Sequence, residues 1–252
     1  MGFFQERLIF FPETLSEDKD LSFTGGEEVF LTADDGARIH GLFFEASVDE
    51  PSGAVLYLHG NAGSVASWYP VADDLLRLGL DVFLLDYRTY GKSQGSLSEE
   101  GLYQDGQAAY EYLIDRGYQP GQIVVYGRSL GAAVATKVAV TRPVGGVVLE
   151  TPFTSLVDLA KELYPFFFPG LFLKYELDNL ERAPQIEAPT LVIHGTDDEI
   201  IPLDHGRAVF EALPRGHRLV TIDGGRHNNL REYPAHAAGL ADFFEALDGP
   251  DN

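Results

Sequence analysis

Cysteine is absent from the 252-residue chain, which removes disulfides, thiolate nucleophiles and cysteine-ligated zinc from consideration. Basic residues are scarce: 18 Lys and Arg stand against 39 Asp and Glu, a formal net charge of −21. A surface of that sign repels phosphate backbones, so no nucleic-acid partner is expected. The acidity runs along the whole chain, which fits solubility better than selection for a cationic substrate. Long apolar runs are missing too. No stretch reaches the roughly 18 apolar residues of a membrane-spanning helix. The start, Met1 to Pro12, is apolar but interrupted by Glu6 and Arg7, and it lacks the charged start, apolar stretch and small-residue cleavage site of a signal peptide. The expected location is cytoplasmic, or membrane-associated if an anchor has been removed ahead of this segment.

What is present suits one α/β domain over residues 1–252, since 45% of the residues are hydrophobic and sheet-based cores of this size are common. Asp34-Asp35-Gly36 between Glu28–Leu31 and Arg38–Phe44 reads as a hairpin turn. From Ala54 on, buried-strand runs alternate with helical patterns. The strands fall at Ala54–Leu58, Val82–Leu85, Ile123–Tyr126, Val147–Leu149, Thr190–Ile193 and Leu219–Ile222. Helices are expected at Ser67–Leu78, Glu99–Arg116 (with Ser98 as N-cap and Gly117 as its stop), Leu130–Val140, Asp204–Ala212 and Leu230–Ala246. This alternation predicts a mostly parallel, doubly wound sheet. The long connection from Thr151 to Pro189 contains the apolar cluster Leu163 to Leu173. Connections of that length are commonly lids or binding loops, so residues 152–189 are expected to form a short helical cap. Its aromatic residues Phe166, Phe167 and Phe172, with Phe153, are expected to line the substrate pocket.

Gly127-Arg128-Ser129-Leu130-Gly131 follows a strand pattern and opens a helix pattern. In that context G-x-S-x-G is a nucleophile elbow: glycines make room for a strained turn that exposes the serine hydroxyl at a helix N-terminus. A serine hydroxyl needs a base. Of the seven histidines, His40 lies in the hairpin, and His59 and His194 end strands. His205, His217 and His236 are expected at the surface on or beside late helices. His227 stands apart, in the glycine-rich loop Gly224-Gly225-Arg226-His227-Asn228-Asn229 between the last strand and last helix. It is the expected base. The acid should follow the preceding strand, where Asp197, Asp198 and Glu199 compete; position does not choose between the two aspartates. The oxyanion hole needs two backbone N–H groups. One is expected at Leu130, the other in His59-Gly60-Asn61-Ala62-Gly63-Ser64, at Asn61 ahead of Ala62. Asp86 and Arg88 read as loop architecture.

Taken together, His59-Gly60-Asn61-Ala62-Gly63, Asp86-Tyr87-Arg88, Tyr90-Gly91-Lys92-Ser93, Gly127-Arg128-Ser129-Leu130-Gly131, His194-Gly195-Thr196-Asp197-Asp198 and Gly225-Arg226-His227-Asn228 resemble the α/β-hydrolase-domain family that includes bacterial membrane-associated hydrolases and eukaryotic protein depalmitoylases. The resemblance runs from about Leu8 to Leu247. It implies the α/β-hydrolase fold, an eight-stranded sheet with helices on both faces. Its H-G-x-x-D pattern assigns the acid to Asp198, and it agrees on Ser129, His227, Asn61 and Leu130. One departure is Thr89, where the family usually carries Gly. The implied activity is a serine esterase or acyl thioesterase acting on a small acyl substrate, with neither metal nor organic cofactor. Association with a membrane surface through the N-terminal segment is a further implication. Two rivals remain, a peptidase or amidase using the same triad and a catalytically silent hydrolase-like binding protein. A dehalogenase is disfavoured because that chemistry puts a carboxylate where Ser129 stands.

Overall fold

The computed structural model describes residues 2–48, 51–163, 173–214 and 216–247, and the chain falls into two units, Met1–Val125 and Tyr126–Asn252. The first opens with helix α1 (Gly2–Ile9) and a two-residue strand β1 (Phe11–Pro12). Strands β2 (Glu27–Thr32), β3 (Arg38–Phe44) and β4 (Gly53–Leu58) follow, then the short β5 (Ala62–Gly63), helices α2 (Val65–Trp68) and α3 (Ala72–Leu76), β6 (Leu80–Asp86) and α4 (Glu99–Asp115). The Asp-Gly turn closes the β2–β3 hairpin as its sequence requires, with Gly36 at φ 85° and Ala33 bonded to Ala37 at 2.9 Å. The strands lie in the order β2-β3-β6-β4. β2 and β3 are antiparallel, as are β3 and β6, whereas β4 and β6 run parallel. All six residues of β4 and all seven of β6 are buried, which is why both read as unbroken apolar runs rather than alternating ones.

Strand β7 (Ile123–Arg128) contains the division between the units. Beyond it lie α5 (Leu130–Thr141), β8 (Gly146–Glu150), α6 (Leu156–Leu163), α7 (Asn179–Arg182), β9 (Thr190–Gly195), α8 (Leu203–Ala212), β10 (Arg218–Ile222) and α9 (Pro234–Leu247). The order here is β10-β9-β8-β7; β8–β9 and β9–β10 are parallel. The loops after the parallel strands β9 and β10 carry Asp198 and His227 to one end of this half-sheet, and Ser129 follows β7.

Two helices differ from the periodicity. The pattern over 67–78 is realised as α2, a 3-10 turn (Tyr69–Val71) and α3, because Pro70 has no N–H to continue an α-helical ladder. The pattern over 230–246 is a 3-10 turn (Leu230–Glu232) followed by α9, whose first residue is Pro234, the position where its missing N–H costs nothing. Ser98 caps α4 as expected, accepting the N–H of Gly101 at 3.0 Å. Among the described residues, no helix is long and apolar enough to cross a membrane.

Thr89 departs from glycine at a position where the backbone takes φ 72°. Its hydroxyl is buried without a hydrogen-bond partner. A left-handed conformation costs a residue with a Cβ about 1–2 kcal/mol, and an unpaired buried hydroxyl adds roughly 1 kcal/mol or more. Glycine gives back about 0.5–1 kcal/mol through its freer unfolded chain. Thr89→Gly is therefore expected to stabilise the protein by about 1 kcal/mol, a rise of roughly 2–4 °C in Tm. A calorimetric melt showing a lower Tm for the variant would contradict this account.

Candidate active site

Ser129 occupies the turn between β7 and α5 with φ 52° and ψ −112°, a strained backbone for a residue with a side chain. Gly127 explains how the turn closes. A Cβ there would lie 2.4 Å from the Gly131 carbonyl oxygen and 2.6 Å from the Ala135 Cβ, so strand and helix can approach only across a bare α-carbon. The Ser129 N–H is held by the Glu150 carbonyl at 2.8 Å. Ser129 is half-buried, reachable from solvent. Leu130 is the first residue of α5, where helix geometry leaves backbone donors without an intrahelical partner.

His227 Nδ1 donates to Asp198 Oδ2 at 2.8 Å. The two aspartates that sequence position left open are held differently. Asp198 Oδ1 accepts the N–H groups of Ile200 at 2.9 Å and Ile201 at 2.8 Å, while His194 Nε2 stands 3.4 Å from Oδ2. Asp197 is exposed, and its carboxylate takes the Thr196 hydroxyl. Burial pushes the Asp198 carboxyl up, but hydrogen bonds from His194 and His227 outweigh it and hold the group well below the usual carboxylate range. Glu199 is exposed; Oε2 receives the His227 N–H at 3.3 Å and Oε1 pairs with Arg226 at 3.2 Å. Gly195 lets the two loops meet, since a Cβ there would lie 2.1 Å from the Gly225 carbonyl oxygen.

A cluster that pattern reading passed over lies beside these residues. Arg128 Nη2 donates to the His227 carbonyl at 2.7 Å and to Asn228 Oδ1 at 3.0 Å. Its Nε lies 3.0 Å from Glu150 Oε1. Glu150 Oε2 accepts His236 Nε2 at 3.1 Å and the Tyr126 hydroxyl. His236 and His205, expected at the surface, are both buried. His236 faces the Glu150 carboxylate, and His205 Nδ1 accepts the Thr154 N–H at 3.2 Å while Nε2 donates to Glu162 at 3.0 Å. Helical spacing cannot reveal such partners because they come from distant parts of the chain. The available signal was Glu150 itself, a carboxylate ending a strand of apolar residues.

Burial pushes the Glu150 carboxyl up, yet Arg128 and His236 bring it down from 4.5 to about 2. An unfolded chain takes up this proton at the ordinary value, so the stabilisation is complete above about pH 4.5. It is lost as pH falls toward 2, and amounts to about 3 kcal/mol. Urea melts of the wild type are expected to weaken across that window, and those of Glu150→Gln to weaken by less. Equal acid sensitivity in the two proteins would refute the assignment.

Asn61 belongs to the first unit. Its carbonyl accepts the Tyr90 hydroxyl at 2.7 Å, and its side-chain amide donates to the Ile9 carbonyl. The preceding carbonyl, Gly60, accepts His59 Nδ1 at 2.6 Å. A planar trans peptide points its N–H opposite its C=O, so this bond sets the direction of the Asn61 N–H. Asp86 and Arg88 are architectural, as their sequence context implied. The fully buried Asp86 carboxylate takes His40 Nδ1 at 3.1 Å and the Val65 N–H at 2.8 Å, and Arg88 pairs with Asp105 at 2.8 Å. Phe153 is buried, its carbonyl accepting Asn179 Nδ2 at 2.8 Å. Phe166, Phe167 and Phe172 lie outside the described residues.

Comparisons with known proteins agree with this architecture. A family model described as the α/β hydrolase fold matches residues 53–185. A second, described as serine aminopeptidase S33, matches residues 171–234. The chain is 37% identical over 227 residues to an uncharacterized protein of Mycobacterium tuberculosis, covering 89% of this chain and 81% of that one. It is 32% identical over 241 residues to α/β hydrolase domain-containing protein 17B of Xenopus tropicalis, covering 91% and 80%. Among solved structures, an esterase of Pyrococcus furiosus aligns with TM-score 0.74 at 22% identity over 96% of this chain and 98% of that one. An esterase from Exiguobacterium antarcticum aligns with TM-score 0.68 at 18% identity, over 87% and 100%.

Proposed function

Because the chain belongs to the α/β-hydrolase family, we propose that it is a serine hydrolase that cleaves carboxylic esters or acyl thioesters through an acyl-enzyme on Ser129. The observation that carries the reading is the 2.8 Å bond from His227 Nδ1 to Asp198, in a loop that Arg128 ties to the turn bearing Ser129. With Nδ1–H committed to a carboxylate, Nε2 is left to accept a proton, which is what a general base for a serine requires.

In the first half-reaction His227 removes the Ser129 proton as Oγ attacks the acyl carbonyl. The oxyanion that forms is stabilised by the Leu130 N–H, and the resemblance assigns the second donor to Asn61. The imidazolium then protonates the leaving alcohol or thiol as the tetrahedral intermediate collapses. Water, deprotonated by the same imidazole, releases the acid and regenerates Ser129. The aromatic segment around Phe166, Phe167 and Phe172 would supply contacts to the acyl chain.

The match to a serine aminopeptidase family over residues 171–234 favours one second reading, amide hydrolysis by the same groups. A fluorophosphonate probe tests the common premise: it is expected to label the wild type stoichiometrically and to leave Ser129→Ala unlabelled. Absence of labelling in a folded wild type would leave only a silent binding protein. A matched series of p-nitrophenyl esters, thioesters and anilides separates the two enzymatic readings, with esters and thioesters expected to turn over and anilides not.

A further inference from the structure

The residue before Ser129 reaches the backbone of His227. We infer that Arg128, held in place by Glu150, is the positioning residue that registers the base loop against the nucleophile turn. The inference rests on the reading of Ser129, His227 and Asp198 as a catalytic set.

Three bonds fix His227. Its ring is held by Asp198 at 2.8 Å, its N–H by Glu199 at 3.3 Å, and its carbonyl by Arg128 at 2.7 Å. The first two come from the loop after β9, and Glu199 is exposed. The third comes from the strand end that carries Ser129. It therefore couples the base to the nucleophile, whereas the other two couple it to the acid. The need for such a tie is visible in the loop itself, which begins at Gly224 with φ 70° and continues through Gly225. Backbone of that kind has many alternatives to lose.

Arg128 is itself immobilised. It is 8% exposed, with Nε 3.0 Å from Glu150 Oε1. Glu150 is 2% exposed, and its remaining oxygen takes His236 and the Tyr126 hydroxyl. The same residue's carbonyl receives the Ser129 N–H at 2.8 Å. Glu150 thus steadies the nucleophile through its backbone and the base through its side chain and Arg128. A guanidinium suits this task because Nη2 donates to both the His227 carbonyl and Asn228 Oδ1 while the cation stays beside Glu150. A lysine ammonium at the end of a flexible stem cannot hold both.

The role acts on geometry rather than on substrate. An offset of about 1 Å between reacting groups costs on the order of 10²-fold in rate, so loss of the tie should appear in kcat and not in KM. Two variants test this in the full chain: Arg128→Lys, which keeps a cation beside Glu150, and the double variant Arg128→Met with Glu150→Gln, which removes both charges at similar volume. With p-nitrophenyl butyrate, both are expected to lose roughly 10- to 100-fold in kcat with KM nearly unchanged. Fluorophosphonate labelling of Ser129 should still reach completion but slow by the same factor, in protein that remains folded at the assay temperature. Should the double variant fail to fold, the lysine variant decides. A folded variant with wild-type kcat, or one that changes KM alone, overturns the inference while leaving the reading of Ser129 intact. A wild type that the probe does not label overturns both.

Discussion

Ser129→Ala is expected to lower kcat for p-nitrophenyl esters by on the order of 10⁴- to 10⁶-fold, with the fold and thermal transition unchanged. The substitution removes one oxygen from a half-buried side chain, so little packing is lost. Everything that distinguishes the acyl-enzyme route disappears with that atom. The residual rate should come from the oxyanion donors and substrate binding alone. The strained backbone at φ 52° fits alanine no better than serine, so the turn keeps its shape only because its surroundings over-determine it. The measurement is steady-state hydrolysis on protein whose circular dichroism and Tm match the wild type. A loss of less than tenfold in such protein would mean that another group attacks the carbonyl, and the proposed mechanism would have to be abandoned.

Asp198→Asn is expected to cost roughly 10⁴-fold in kcat, although it leaves size unchanged and replaces only one acceptor oxygen by an NH₂ donor. Oδ1 accepts two backbone N–H groups, from Ile200 and Ile201. In the variant the amide oxygen must stay there, because an NH₂ group would face two donors. That forces the amide nitrogen toward His227 Nδ1, which now must accept. The ring proton moves to Nε2, and the imidazole can no longer take a proton from Ser129. Asp198 is held well below the ordinary carboxylate range by His194 and His227 against the cost of its burial. It therefore stays ionised as the medium is acidified through the range where imidazoles charge. Asp197→Asn serves as the control: that residue is exposed and its carboxylate takes the Thr196 hydroxyl, and near wild-type kcat is expected. Kinetics in which Asp197→Asn is crippled and Asp198→Asn is not would reverse the assignment of the acid.

Much of this was legible in the chain itself. Local rules account for the Asp-Gly hairpin at 34–36, the Ser98 cap and the buried runs of β4 and β6, because turn geometry, capping and burial on two faces each leave a mark in adjacent residues. The elbow was legible for the same reason: Gly127 and Ser129 are two positions apart, and the clash that excludes a Cβ at Gly127 lies in the helix that follows at once. Pro70 and Pro234 mark the breaks in the helices, a local signal that apolar periodicity does not carry.

The remainder depends on residues far apart along the chain. Sequence order brings His227 and the 197–199 loop together as candidates, but position does not show that two backbone N–H groups and an imidazole converge on Asp198. His205 and His236 looked like surface residues and are buried, since polar side chains give no periodic signal of the partner that satisfies them. Nothing local to Gly127-Arg128-Ser129 announces that the arginine spans to the carbonyl of His227 or that Glu150 holds it. The sequence by itself determined the class of fold and the residue types its motifs present, because those follow from short-range sterics and residue type. Only the tertiary structure decided which charges are buried together and which loop is tied to which, because a buried ion finds its partner through space and not through neighbours in the chain.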